Sequence, residues 1–302
     1  AKVRGDLTEA SLGLSRSNAR EVRERITAIL HAGGSTEFSI SRDDAERINV
    51  QGTANLLDFA RSCPRLEKIM LLSTTYVAGK RRGRIAESEL AHRAGFVNEY
   101  EHSKYRMERL ARSAMRTLPV SIVRLSTIVG SSRGEIDRYS AVHHALRLYY
   151  NGLVPMVPGE RESLVDLIAI DDAVRAIETL FRDFVPGSTY HVAAADGAMP
   201  LVDFLRTTGE LFQARGNGWR SRGVEIPPIV PLRTFRLLES TARQTGDVFL
   251  QQVMSTMATF APQLSYPKLF ETASLDRLGL RPRPLVEYYD RVIRFAIRRG
   301  WK

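Results

Sequence analysis

The sequence predicts an α/β protein built on a parallel sheet, and three observations carry that prediction. Through the first two-thirds of the 302 residues, short β-branched runs alternate with stretches of helical apolar spacing. That alternation is the pattern of parallel strands joined by crossover helices. The apolar runs end in small or hydroxyl-bearing residues, and open parallel sheets receive ligands beyond those strand ends. After residue 200 the pattern becomes mainly helical, broken by Pro- and Gly-bearing loops such as GNGWRSRG and EIPPIVP. This last part is expected to form a helical cap on the sheet rather than an independent domain.

The elements follow in order. ITAILHAGG (26–34) reads as a strand closing in a turn of small residues. Such a turn lets a ligand approach the backbone, and a plain tight turn explains it equally. DDAERINVQGTANLLDFARSC (43–63) has helical spacing at Ile48, Ala54, Leu57 and Phe59, and Pro64 stops it. EKIMLLSTTYVAG (67–79) is a buried strand that ends in hydroxyl residues. A hydroxyl there can donate to a carbonyl oxygen on which charge develops. NEYEHSKYRMERLARSAMRT (98–117) is a helix, and PVSIVRLSTIVG (119–130) is the next strand. LVDLIAIDDAVRAIETLF (164–181) gives a short strand and a helix, and STYHVAAAD (188–196) gives the last strand.

Composition narrows the function classes. The net charge is +10, and residues 201–302 hold 16 basic and 9 acidic side chains. Such a surplus attracts phosphate-rich partners or is simply a solvated basic surface. No nucleic-acid motif accompanies it, so nucleic acid is not expected. The Arg/apolar mixing in 281–301 leaves peripheral membrane contact open. The single cysteine, Cys63, suits a reducing compartment, and a cytoplasmic location is expected. His143 and His144 are adjacent and lack a carboxylate to complete a site, so no metal is expected.

Tyr100 and Lys104 carry the clearest chemistry. Positions i and i+4 share one helical face, so a phenol and an ammonium can meet a common ligand. A nearby ammonium favours the phenolate and would bring a tyrosine closer to working range. Met107, Ala111, Ser103, Leu110 and Ala114 continue the same side of the helix, where an unpaired lysine is costly. The alternative is an ordinary amphipathic helix.

Asp6 in GDLT, the HAGG turn, NVQGT, STTYVAG, YEHSK and RLSTIVG occur in the order found in extended short-chain dehydrogenases/reductases, which this sequence resembles. GDLTEASLGLS, ILHAGGSTEFS before INVQGTANLL, and GRIAESE before FVNEYEHSKYRMERL are similar to the branch holding fatty acyl-CoA reductases and thioester-reductase domains. The resemblance covers nearly all of residues 1–200 and is loose beyond.

It implies a Rossmann-type doubly wound parallel sheet, N-terminally truncated, with a mainly helical substrate-binding cap. The cofactor-binding core would be residues 1–130 and 164–196, and the cap 131–163 and 197–302. Thr74, with Ser73 as the second choice, would be the catalytic hydroxyl. Tyr100 would be the general acid, and Lys104 would lower its pKa and bind the nicotinamide ribose. Asp6 and Leu7 would lie against the adenine, and Ala32, Gly33 and Gly34 would line the diphosphate and ribose. Leu125, Thr127 and Ile128 would sit by the nicotinamide, while Asn49 would support the site or serve its helix.

The implied activity is NADP-dependent (or NAD-dependent) reduction of an acyl thioester or aldehyde. The partner would be a small-molecule acyl substrate, carried on CoA or an acyl-carrier protein. An NDP-sugar epimerase or dehydratase, a hydroxysteroid-like dehydrogenase and a non-catalytic nucleotide-binding protein are the alternatives. The family's glycine-rich turn, whose helix N-terminus holds the pyrophosphate, has no match here; Gly216-Asn217-Gly218 follows no strand. The sequence is therefore expected to be a fragment without that turn.

Overall fold

The computed structural model describes residues 2–215 and 226–302, the side chain of Arg215 excepted. Gly216-Asn217-Gly218 lies outside the described residues. Four strands form the main sheet: β1 (Ala28–His31), β2 (Lys68–Thr74), β3 (Val120–Leu125) and β4 (Thr189–Val192). They are adjacent in that order and all parallel, with Ile69 opposite Ile29 and Val120, and Val123 opposite Leu72 and Tyr190.

The alternation of side chains along each strand covers both faces. Ile69, Leu71, Val120 and Ile122 pack on one face beneath α1 (Gly52–Arg61) and α2 (Glu99–Ala114). Met70, Val123, Tyr190 and Val192 pack on the other, beneath α3 (Ile170–Arg182). Helices on both faces make the sheet doubly wound.

Helix α2 begins where the Asn98 side chain accepts from the Glu101 amide at 3.0 Å, with Glu99 and Glu101 in its first turn. Both features stabilise a helix N-terminus. Ser103, Met107, Ala111 and Ala114 then face inward together.

One expected helix differs. Residues 43–63 are not one continuous α-helix: Arg42–Ala45 runs into a π-helical turn, Glu46–Gln51, before α1 begins. The wider turn shifts the inward stripe. Asn49 and Val50 become buried, and Ile48 is only half-buried.

The stretch 164–181 also supplies more than one strand. Leu164–Val165 pairs antiparallel with Met199–Pro200, and Leu167–Ile168 pairs parallel with Thr127–Ile128. Gly83–Ile85 pairs parallel with Lys268–Phe270, which ties the C-terminal part to the segment after β2.

The C-terminal helices α4 (Leu201–Arg215), α5 (Leu232–Thr245), α6 (Val248–Phe260) and α7 (Tyr289–Arg298) share one hydrophobic cluster with residues from Val129 to Leu167. Tyr289, Val292, Ile293 and Ala296 are buried in it, so this face of α7 is turned inward. Among the described residues, no helix is long and apolar enough to cross a membrane.

Arg124, with 0% of its surface exposed, sits in the middle of β3 facing α2. Its Nε donates to Glu108 Oε1 at 2.9 Å, and its Nη2 donates to Glu108 Oε2 and to Glu89 O, both at 2.8 Å. Nη1 lies 2.9 Å from His191 Nε2. A guanidinium only donates, so His191 Nε2 accepts and the ring proton is on Nδ1, which donates to Glu271 O at 2.9 Å. Burial, reinforced by Arg124, holds the His191 pKa down at about 3.

Removing one member of such a pair leaves a buried charge uncompensated, which costs about 3–5 kcal/mol. Arg124→Leu or Glu108→Leu alone should lower stability by that amount in urea unfolding. The double variant Arg124→Leu/Glu108→Leu should lose less than the sum of the two. Strict additivity would show that the two charges do not depend on each other.

Candidate active site

The carboxyl ends of β2 and β3 bring several of the expected residues together. Thr74 closes β2 opposite Leu125, the last residue of β3. Thr74 Oγ1 accepts from the Tyr76 amide at 3.2 Å, and the Thr74 hydroxyl acts on the Tyr100 phenol to lower its pKa. Thr127 follows Leu125 by two residues, and its hydroxyl lies 2.9 Å from Tyr76 Oη. Ile128 continues that strand. Ser73 is buried beside Thr74, and its hydroxyl has no hydrogen-bond partner.

Lys104 lies one turn along α2 from Tyr100. Its Nζ donates to Leu72 O at 3.1 Å and lies 3.4 Å from Met107 Sδ. Burial pulls its pKa down to about 8, and Glu108 opposes that fall.

The Tyr100 phenol differs from the sequence expectation. Burial pushes its pKa up to about 12, partly offset by the Thr74 hydroxyl and augmented by the Glu101 carboxylate. Desolvation of the phenolate is the larger effect here, so the phenol stays protonated at neutral pH.

The HAGG turn sits at the end of β1 with Ala32, Gly33 and Gly34 exposed. Gly34 has φ +120°, and a methyl group there would stand 2.8 Å from Asn49 Oδ1. One reason for glycine is therefore internal: Asn49 Oδ1 accepts from the Ser35 amide at 2.8 Å. Asn49 Nδ2 donates to Ser103 Oγ at 2.9 Å, and Ser103 Oγ donates to Tyr100 O at 2.8 Å. The π-helical turn thus connects the HAGG turn to the tyrosine backbone.

Leu7 packs against Gly33, where a methyl group would lie 2.5 Å from Leu7 Cδ1, and Leu7 O accepts from Asn55 Nδ2 at 2.8 Å. Asp6 is exposed, and its Oδ1 accepts from the Thr8 amide and hydroxyl. Together these two bonds hold its carboxyl below the usual range. His31 is buried with Nε2 3.2 Å from Thr53 Oγ1, and burial, aided by Lys104, lowers its pKa to about 4.

Several surrounding residues were not singled out from the sequence. The Phe38 ring lies 5.1 Å from Tyr100, 5.6 Å from Tyr76 and 6.4 Å from Phe260. Glu101, the next residue in YEHSK, is completely buried; its Oε2 accepts from the Val97 amide at 2.9 Å, and its Oε1 has no hydrogen-bond partner. Burial raises its pKa to about 7, while Val97, Lys268 and Lys80 oppose the shift. The position of Glu101 inside the motif was a usable signal; Phe38 and Phe260 had none.

A buried threonine hydroxyl, a protonated phenol and an ammonium at one sheet end can together deliver a proton to an oxygen on which charge develops.

Comparison with known proteins gives three findings. The NAD-binding family model described as Male sterility protein matches residues 1–177. The chain is 35% identical over 85 residues to fatty acyl-CoA reductase 2, chloroplastic, of Arabidopsis thaliana, which covers 28% of this chain and 14% of that protein. It is 23% identical over 245 residues to the probable fatty acyl-CoA reductase 5 of the same plant, covering 63% and 49%. The chain thus spans about half or less of the length of these curated relatives. The terminal R domain from the myxalamid PKS-NRPS biosynthetic pathway superposes with a TM-score of 0.77 at 24% identity, covering 99% of this chain and 75% of that one. That superposition shows a shared Rossmann-type fold.

Glu101 gives a pH test. Its native pKa lies above the usual carboxylate value, so the native chain holds a proton near pH 6 that the unfolded chain has lost. The charged form costs stability above about pH 7, and that cost fades as pH falls towards 4.5. Glu101→Gln should therefore raise Tm by several degrees at pH 8 and by little at pH 5. An equal difference at both pH values would mean that native Glu101 is ionised throughout.

Proposed function

The chain belongs to the male sterility protein family of NAD-binding domains, and on that premise we propose an NAD(P)H-dependent reductase of acyl thioesters or the derived aldehydes. The observation that carries this reading is the meeting of Thr74, Tyr100 and Lys104 at the carboxyl ends of β2 and β3, with the phenol held protonated. The fatty acyl-CoA reductases among its relatives and the R-domain fold support the thioester class.

Tyr100 acts as general acid. A phenol that keeps its proton at neutral pH suits reduction, where a proton must be given to the carbonyl oxygen. Thr74 holds that oxygen through its hydroxyl, and Lys104 places a positive charge beneath the same region. Phe38 packs against the phenol, backed by Phe260, and keeps water from it, which strengthens these interactions.

The residues fit a nicotinamide dinucleotide: Ala32, Gly33 and Gly34 offer an exposed backbone at the end of β1, and Lys104 offers a donor for a ribose. Leu7 lies next to that turn with Asp6 preceding it in the chain, while Leu125 ends β3 beside Thr74 and Thr127 and Ile128 follow it. When bound, the cofactor supplies the hydride, and NADPH is the preferred form in this reading. Residues 1–130 and 164–196 would hold it, while 131–163 and 197–302 would bind the acyl chain. One hydrophobic cluster drawn mostly from the latter segments, with Val129, Val165, Leu167 and Ala169 joining it from the former, supports that division.

The full-length protein should oxidise NADPH in the presence of acyl-CoA. Tyr100→Phe should lower kcat by about 10²- to 10⁴-fold, the range for loss of a general acid. Thermal unfolding of the variant should remain cooperative and near that of the native protein. No oxidation of NADPH or NADH by the native enzyme across a series of acyl chain lengths would sink the proposal.

A further inference from the structure

The proposed reduction needs a substrate carbonyl beside the Tyr100 phenol, and that residue is covered. Tyr100 is 6% exposed. The Phe38 ring lies 5.1 Å from it at a tilt of 33°, nearer to stacking than to an edge contact. Phe38 also lies parallel to Phe260, at 5° and 6.4 Å, and meets Tyr76 at 88° and 5.6 Å. Rings from α2, α6 and the turn after β2 thus hold one ring that belongs to none of these elements.

Phe38 keeps part of its surface in solvent, on a segment without helix or strand. That segment is fastened at its two ends. Ser35 is fixed by Asn49, whose Oδ1 accepts from its amide at 2.8 Å and whose Nδ2 donates to its carbonyl at 3.3 Å. Ser41 Oγ accepts from the Asp44 amide at 3.1 Å and so caps the helix that follows. Among the described residues, the backbone of 36–40 makes hydrogen bonds only within 35–40. Glu37 N donates to Ser35 Oγ at 3.3 Å, and Ile40 N donates to Glu37 O at 3.2 Å. The Glu37 carboxylate stands 3.8 Å from Arg138, but both side chains are exposed and such a pair holds little. The ring contacts are therefore the main tie on Phe38, and each is modest by itself.

An apolar ligand group can replace such contacts with its own. A ring that must leave before a ligand binds lowers the apparent affinity by the fraction of molecules in which it has left. A ring that only lines the site does the reverse, because its contact with the ligand adds to affinity.

We infer that Phe38 is a specificity residue that selects what reaches Tyr100: its ring holds the place of the acyl carbons beside the reacting carbonyl, and substrate binds by displacing it. This rests on the thioester reading above and adds a requirement to it. The displaced ring leaves Tyr76, Tyr100 and Phe260 as neighbours, so the carbons that take its place are apolar.

Equilibrium binding of unreactive thioethers tests the displacement without turnover. S-octyl-CoA would be titrated by calorimetry into the full-length protein saturated with NADP, as native chain, Phe38→Ala and Phe38→Leu. Phe38→Ala should bind about tenfold more tightly than native and Phe38→Leu about threefold, because the competing ring is removed or reduced. Where thermal unfolding shows that Phe38→Ala does not fold, Phe38→Leu carries the comparison. Equal or weaker binding by the folded variants would overturn the displacement while leaving the thioester reading intact. S-(2-hydroxyoctyl)-CoA, with a hydroxyl on the carbon next to the one that mimics the reacting carbon, should bind native protein about tenfold more weakly than S-octyl-CoA. Equal binding of the two would overturn the claim that acyl carbons take the place of the ring. Failure of S-octyl-CoA to bind native protein and both variants would overturn the thioester reading, and this inference with it.

Discussion

A guanidinium with no exposed surface lies between β3 and α2, and Glu108 meets it with both carboxylate oxygens. Few contacts fix a helix on a sheet so tightly, because neither charge can slide without losing its partner in a low-dielectric interior. Glu108 lies two turns from Tyr100 and one from Lys104. The pair therefore sets where the phenol and the ammonium stand relative to Thr74. Arg124 also holds the carbonyl of Glu89 and the ring of His191, so the loop after β2 and the last strand are tied to the same point. Apolar packing beneath α2 would give a helix on a sheet; the ion pair gives it a register.

Burial then acts on four titratable groups near that register, each time towards the neutral form. Tyr100 is raised, Lys104 lowered, Glu101 raised and His31 lowered, each with desolvation as the first cause. The consequences differ by residue. A raised phenol remains a proton donor, whereas a lowered lysine and a raised glutamate come to titrate near neutrality. An adjacent lysine lowers a tyrosine only where its charge outweighs desolvation of the phenolate. Here desolvation dominates.

The sheet and the candidate triad were legible in the sequence because both are written locally. A strand shows in a run such as KIMLLST, and Tyr100 and Lys104 are related by one helical turn. The order of strand ends then places Thr74 and Leu125 side by side without further information. The π-helical turn at Glu46–Gln51 was not legible, because NVQGT fits an α-helix equally well. Only the contacts of Asn49 with Ser35 and Ser103 reveal why the extra residue is there. Phe260 and Lys268 were hidden for a different reason: nothing near them in sequence carries chemistry, and their meaning comes from meeting Tyr76 around a small cavity.

That meeting follows from one short pairing. Lys268–Phe270 runs parallel to Gly83–Ile85, just after the turn that begins with Tyr76. The backbone of the STTYVAG segment itself receives the Lys268 ammonium, at Gly79 O. Gly79 has φ +55°, and a methyl group there would stand 2.2 Å from Gly95 O, so this turn requires glycine. The turn on one side and a paired strand on the other frame the cavity between them. The C-terminal part therefore does more than cover the sheet. It supplies one wall of a small cavity whose other wall is the hydroxyl-bearing strand end, so both parts of the chain are held on one frame.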